Sequence, residues 1–409
     1  MSRVSTRETG DSRKKSVAAV LEDKGDREKR RPGRSEEKIV GKITKSSEKR
    51  ATGRAKAPKE SAEFTEAVAA AKRARRSGHV KPLEKDFLEA LARAIRDAVL
   101  PHIASGKGRE VVGTATSGDA TFELDKVAER ALLAFLKNAH APVAYYSEDA
   151  GYTTFTSGQP QHLLVVDPVD GTRAAKSGFE GCVVSVVSTR VIERPRMADV
   201  DNACIMEIMG HRTFYAERGK GTRIFVDGRS VRPKLSQNTN LECVSWAMTV
   251  TGRPAELIFP TAARLIDLTT LKGGFFACNS TAFSLTRLVT NQLDAYVDFA
   301  NRFLRDLNDK VEDYFVNAGR GAIIGPVPYD LAGALLVAEE AGCKVTDAYG
   351  RGFDEVLLLD NSVNNQQSII AAANAELHEK LFTFFETRIR QYEELISRRS
   401  SSRQANTNS

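Results

Sequence analysis

Sustained apolar periodicity is missing from the first eighty or so residues and begins near Pro82. Between residues 83 and 103, Phe87, Leu88, Leu91, Ala94, Ile95, Ala98 and Val99 recur at helical spacing and predict an amphipathic helix. A Gly-containing loop over 105–118 separates it from a second helix over 123–137, with Leu124, Ala128, Leu132 and Phe135 inward. Apolar runs at 143–146 and 163–166 predict buried strands, and 182–187 and 203–208 continue that pattern. The segments 212–218 and 222–226, with Gly219 and Gly221 between them, predict a hairpin. The second half opens with a strand within 238–250. It continues with helices over 260–267, 280–290 and 329–341, strands over 295–299, 344–346 and 368–372, and a last helix over 376–396. Strands and helices alternate in both halves without an internal repeat, so the fold class is α/β or α+β with layered sheets. The expected organisation is a basic, largely disordered extension over 1–80, an α+β subdomain over 81–235, an α/β subdomain over 236–396, and a disordered Ser/Arg/Asn-rich tail over 397–409.

Charge sharpens the division at the N-terminus. Residues 1–80 hold 23 Lys and Arg against 12 Asp and Glu, whereas the remainder holds 37 against 41. The net charge of +7 over 409 residues therefore belongs to the extension, and the body is mildly acidic. One aromatic, Phe64, cannot offset the chain entropy of the extension, although residues 61–76 have the propensity for a marginal helix. Two readings stand: a solubilising extension, or a contact with nucleic acid or another anionic surface. No aromatic interleaving supports specific single-strand binding. No apolar run approaches membrane-helix length, and the first residues lack a signal-peptide core. Cys182, Cys204, Cys243, Cys278 and Cys343 form no Cys-x-x-Cys pair, which excludes zinc ribbons and redox motifs; a reducing, cytoplasmic setting is expected.

The chemistry concentrates in Leu163-Leu164-Val165-Val166-Asp167-Pro168-Val169-Asp170-Gly171-Thr172. An apolar strand delivers Asp167 to its carboxyl end, where open sheets bind ligands. Asp170 follows three residues later, and two carboxylates on one turn grip divalent ions from one side. Backbone N–H groups at Gly171 and Thr172 then open a helix-prone stretch, 173–176, as an anion site, and Gly178 ends it. Carboxylates for metal beside amides for phosphate is the layout that phosphate-ester hydrolysis needs. Glu148 and Asp149 end a strand 19 residues upstream, in reach of a neighbouring strand. Asp125 and Asp330 each start a predicted helix, where capping is the plain structural role.

Taken in order, Asp125, Ser147-Glu148-Asp149, Asp167-Pro168-Val169-Asp170-Gly171-Thr172 and Tyr329-Asp330-Leu331-Ala332-Gly333 closely resemble the inositol monophosphatase family, the Mg²⁺-dependent, lithium-sensitive sugar phosphatases that include some fructose-1,6-bisphosphatases. The resemblance spans residues 83–390. It implies a layered αβαβα sandwich with the site between its two parts, and homodimers. It implies that Glu148, Asp167 and the carbonyl of Val169 hold a first Mg²⁺, that Asp167, Asp170 and Asp330 hold a second, and that Glu148 contacts a third ion. Thr172 and Asp125 would orient the attacking water, and Gly171 and Thr172 would bind the phosphate.

The sequence also departs from the family. Arg173-Ala174-Ala175-Lys176 replaces a segment that usually carries Asn and an aromatic, so Arg173 is either a contact for a second anionic group of the substrate or a solvated charge. Phe122 stands where relatives often have Thr, and Phe276-Ala277-Cys278-Asn279 lacks the usual Arg and Gly. The stretch between Asp298 and Asp330 is long and is expected to add helix near the site. The expected activity is phosphomonoester hydrolysis of a small sugar or cyclitol phosphate resembling inositol 1-phosphate. Fructose 1,6-bisphosphate and 3′-phosphoadenosine nucleotides are the alternative substrates, and a catalytically silent protein binding through its basic tail is the non-enzymatic alternative.

Overall fold

The computed structural model of the protein describes residues 80–106, 109–114, 120–148, 150–155 and 158–407. The basic extension and its helix over 61–76 lie outside the described residues up to position 79, as does Asp149. In α1 (Lys85–Ser105), Leu88, Leu91, Ala92, Ile95, Val99 and Ile103 are buried along one stripe. The strands β1 (Val111–Thr114) and β2 (Ala120–Phe122) pair and run directly into α2 (Glu123–Ala139). Then come β3 (Val143–Ser147), β4 (Gly151–Thr154), β5 (His162–Asp170), a single turn α3 (Thr172–Ala175), β6 (Val183–Thr189), β7 (Asn202–Glu207), β8 (Arg212–Glu217), β9 (Gly221–Val226) and β10 (Arg229–Val231). Eight of these strands form one sheet in the order β10-β9-β8-β7-β6-β5-β3-β4, antiparallel except between β3 and β5.

The second half contributes β11 (Ser245–Met248), α4 (Ala255–Thr269), β12 (Gly274–Ala277), α5 (Thr281–Leu288), β13 (Ala295–Asp298), α6 (Ala300–Leu307), α7 (Glu312–Ala318), α8 (Pro328–Ala341), β14 (Lys344–Thr346), β15 (Ile369–Ala372) and α9 (Ala375–Thr407). Its sheet runs β12-β11-β13-β15-β14, parallel across the first three strands and antiparallel at β15.

Three apolar clusters stack these parts into αβαβα layers. The first joins α1 and α2 to one face of the larger sheet. The second joins the other face, through α5 and α8, to Ala247, Tyr296, Ile369 and Ala371 of the smaller sheet. The third packs α4, α6 and α9 on the far face of the smaller sheet around Trp246, Phe299 and Phe385. Because α8 lies between two sheets it has no polar stripe: apart from Asp330, every residue from Pro328 to Ala338 is buried.

Several expectations are corrected. The tail placed over 397–409 is helical as far as Thr407, because no Gly or Pro interrupts it and Arg398 pairs with Glu394 one turn back. The helix expected to start at Pro260 starts at Ala255, with Pro260 inside it. The strand within 238–250 is confined to Ser245–Met248. The strands β1, β2, β4, β10 and β12 had no period long enough to announce them. The segment between Asp298 and Asp330 does add helix, as α6 and α7.

Candidate active site

The site forms where β5 ends. Every residue of β5 is buried, and its pairing with β6 slips between Asp167 and Asp170, which bends the chain at Pro168. Asp167 folds back so that its Oδ1 accepts from the Val169 N–H at 3.0 Å. The parallel register sets Ser147 beside Val166, so the next residue, Glu148, arrives beside Asp167. Asp330 comes from the first turn of α8, where its Oδ2 accepts from the Val327 N–H at 3.0 Å. Glu148, Asp167, Val169, Asp170, Thr172 and Asp330 all line one pocket.

Asp125 caps its helix and also reaches Thr172. As the third residue of α2 its Oδ2 accepts from the Phe122 N–H at 2.7 Å, closing the helix start. Its Oδ1 accepts from the Thr172 hydroxyl at 3.0 Å, and Thr172 also faces the Val169 carbonyl at 3.0 Å. Phe122 supplies its backbone to this arrangement, so the missing Thr side chain does not prevent the Asp125–Thr172 contact. Gly171 has φ +92°, and a Cβ there would lie 2.3 Å from the Gly181 carbonyl oxygen. Only glycine therefore lets the chain turn from Asp170 into Thr172. The two cations after Thr172 part company: Arg173 lines the pocket, whereas the Lys176 ammonium sits 3.7 Å from the centre of the Phe122 ring.

The second half closes the pocket, and the sequence did not announce how. Ser280 donates to Asp170 Oδ2 at 2.7 Å, and the Ala282 N–H reaches the same oxygen at 2.7 Å. Thr249 and Thr281 both hydrogen-bond the buried Tyr296 hydroxyl, at 2.8 and 2.9 Å. Arg253 forms a buried pair with Asp298, its Nη2 lying 2.6 Å from Oδ2. The sequence signals for these residues were a predicted strand over 295–299 and a helix opening at Ser280, which carry no chemistry by themselves.

Burial, followed by repulsion from Asp170, Glu148 and Asp330, raises the Asp167 carboxyl well above its ordinary value. Asp330 is raised by burial and by Asp170 and Glu148. Burial lifts Asp170 to about 6 against the bonds from Ser280 and Ala282. Mutually repelling buried carboxylates that offer only oxygen ligands fit a hard divalent cation such as Mg²⁺. Among the described residues no group of three His, Cys, Asp or Glu side chains already forms a finished ligand set. Asp170 and Asp330 each turn an oxygen toward protein donors instead.

The model of the inositol monophosphatase family matches residues 84–390. A bifunctional NADP phosphatase/NAD kinase of Methanococcus maripaludis is 25% identical over 321 residues, covering 75% of this chain and 50% of that protein. The chain thus spans about half the length of that relative. A fructose-1,6-bisphosphatase/inositol-1-monophosphatase of Methanothermobacter thermautotrophicus is 25% identical over 304 residues, covering 72% of this chain and 94% of that one. Among solved structures, an IMPase of Thermotoga maritima superposes with a TM-score of 0.54 at 19% identity, covering 75% of this chain and 98% of that one.

Proposed function

Because the chain belongs to the inositol monophosphatase family and is a phosphoric monoester hydrolase of that type, we propose that it hydrolyses a small sugar or cyclitol phosphate with Mg²⁺ and water. The observation that carries this reading is the convergence of Glu148, Asp167, Asp170 and Asp330 on one pocket with Thr172. Glu148, Asp167 and the Val169 carbonyl would hold one Mg²⁺, and Asp167, Asp170 and Asp330 another, with Glu148 in reach of a third. When bound, the ions supply positive charge that draws in the phosphate and makes a water more acidic.

The rest is done by the chain. Thr172 Oγ1 has one hydrogen, and both acceptors within reach, Asp125 and the Val169 carbonyl, belong to the protein. Toward the pocket it offers lone pairs, so it accepts a hydrogen bond from water and turns that water's own lone pair toward phosphorus. Asp125, fixed by the Phe122 N–H, holds Thr172 in that orientation. The N–H groups of Gly171 and Thr172 receive the phosphate oxygens. Arg173 lines the pocket and favours a substrate with a second anionic or polar group.

Homodimers and inhibition by Li⁺ accompany this reading and are checked by sedimentation and by assay in LiCl. No helix among the described residues is long and apolar enough to cross a membrane. The deciding experiment is phosphate release with and without Mg²⁺ from inositol 1-phosphate, fructose 1,6-bisphosphate, a 3′-phosphoadenosine nucleotide and NADP. Release that needs Mg²⁺ and disappears in Asp170→Asn supports the reading. A protein that binds Mg²⁺ and releases nothing from the panel supports the silent binder.

A further inference from the structure

One wall of the pocket is a short strap, residues 323–327, that leads into α8. Ile324, Gly325 and Val327 line the pocket. Ile323, the neighbour of Ile324, borders a separate cavity of about 610 Å³ with Leu304, Arg305 and Val363. On that side Ile323 packs against the apolar core of α4, α6 and α9, and two hydrogen bonds tie the strap's carbonyls. Gln366 Nε2 donates to the Ile323 carbonyl at 2.8 Å, and the Gln367 N–H donates to that of Pro326 at 2.9 Å.

From the other side the strap is met by Gly252 and Arg253. Gly252 has φ +67°, and a Cβ there would stand 2.6 Å from the Ile324 Cβ, so the two segments touch main chain to side chain. Arg253 Nη1 donates to the Thr251 carbonyl at 2.8 Å and to the Ile324 carbonyl at 3.4 Å. Its Nε and Nη2 grip Asp298 Oδ2 at 3.1 and 2.6 Å. Four of its five N–H groups are thereby spent on the protein. Three residues beyond Ile324, the Val327 N–H holds the Asp330 carboxylate.

We propose that Arg253 is a positioning residue: oriented by Asp298, it clamps the strap to the end of β11 and so sets where Asp330 stands in the pocket. This rests on the reading of Asp330 as a metal ligand. It makes Arg253 a determinant of Mg²⁺ affinity rather than a substrate contact, because its guanidinium is used as a fork between two backbone carbonyls and a buried carboxylate.

Two variants test it in the full chain. Arg253→Lys keeps a cation beside Asp298 but cannot span both carbonyls. Gln366→Met cuts the tie to Ile323 and leaves the charge pair alone. Two midpoints are read: the Mg²⁺ concentration for half-maximal phosphate release, and that for the Mg²⁺-induced rise in unfolding temperature. Arg253→Lys is expected to raise both midpoints by about 10-fold or more, the range seen when a partner of a metal ligand is altered. The substrate KM at saturating Mg²⁺ stays unchanged, and Gln366→Met moves both midpoints the same way by a smaller factor. Wild-type Mg²⁺ midpoints in both variants overturn the proposal, as does a change confined to substrate KM. If Arg253→Lys does not fold, Gln366→Met decides alone: a wild-type midpoint overturns the proposal and a raised one supports it. A wild-type protein with neither Mg²⁺-dependent release nor a Mg²⁺-induced rise overturns the metal-site reading itself, and this proposal with it.

Discussion

Ser280 joins the two halves of the site through one hydroxyl. Its Oγ donates to the buried Asp170 carboxylate at 2.7 Å and accepts from the Phe283 N–H at 3.0 Å, which makes it the N-cap of α5. Ser280→Ala removes both bonds. A hydrogen bond to a charged group contributes about 1.5–3 kcal/mol and an N-cap about 1 kcal/mol. The Ala282 N–H still holds the carboxylate, so the sum is trimmed to about 2–4 kcal/mol of lost stability at pH 7.5 without metal. Ser280→Gly separates the two parts, because glycine at an N-cap costs only a few tenths of a kcal/mol. It should be roughly 1 kcal/mol more stable than the Ala variant while still lacking the bond to Asp170. Urea unfolding followed through Trp246, the chain's single tryptophan and fully buried on β11, gives the values. A Ser280→Ala protein within 0.5 kcal/mol or so of wild type would refute the bridging role, since a buried carboxylate deprived of a donor does not come so cheaply.

Asp170→Asn should be at least as stable as wild type in EDTA. Its amide oxygen accepts from Ser280 and Ala282 without a buried charge, while the Mg²⁺-induced rise in unfolding temperature disappears; a metal-free loss above about 2 kcal/mol in thermal melts would count against this. Gly171→Ala places a Cβ 2.3 Å from the Gly181 carbonyl oxygen at φ +92°. It should cost about 3 kcal/mol or more by urea unfolding; wild-type stability would mean that the turn relaxes freely. His378 is buried against Thr346, and burial, with Lys344 nearby, lowers its imidazole to about 4. Its folded value lies below the ordinary 6.5, so its contribution is complete above pH 6.5 and is lost as pH falls toward 4. The loss is about 3 kcal/mol, and His378→Asn should flatten that part of the stability-against-pH curve.

The sequence was legible where one strand or one helix carried the signal. The apolar run ending at Asp167 foretold both the buried strand and the acidic turn, and the helix starts at Asp125 and Asp330 were visible from local pattern. What stayed hidden was pairing between distant segments. Nothing in Thr249, Arg253 or Thr281 marks them as pocket residues, nor Ser280 and Tyr296 as the groups bonded behind them, until β11, β13 and α5 are brought to the end of β5. The helical end of α9 was missed for the opposite reason: Ser, Arg and Asn describe a loop by composition, yet none of them forbids continuation of a helix that is already formed.

The all-round burial of α8 also has a consequence in time. The last strand of the larger sheet ends at Val231, but α8, which with α5 covers its second face, is complete only at Ala341. At about 5–20 residues per second, a ribosome takes roughly 6–20 s to make that interval. Through that period the second face of the sheet is covered at most in part, by α5 once it is made, and the chain lacks Asp330. The newborn protein acquires its last acidic pocket residue in the same step that finishes covering its second apolar face.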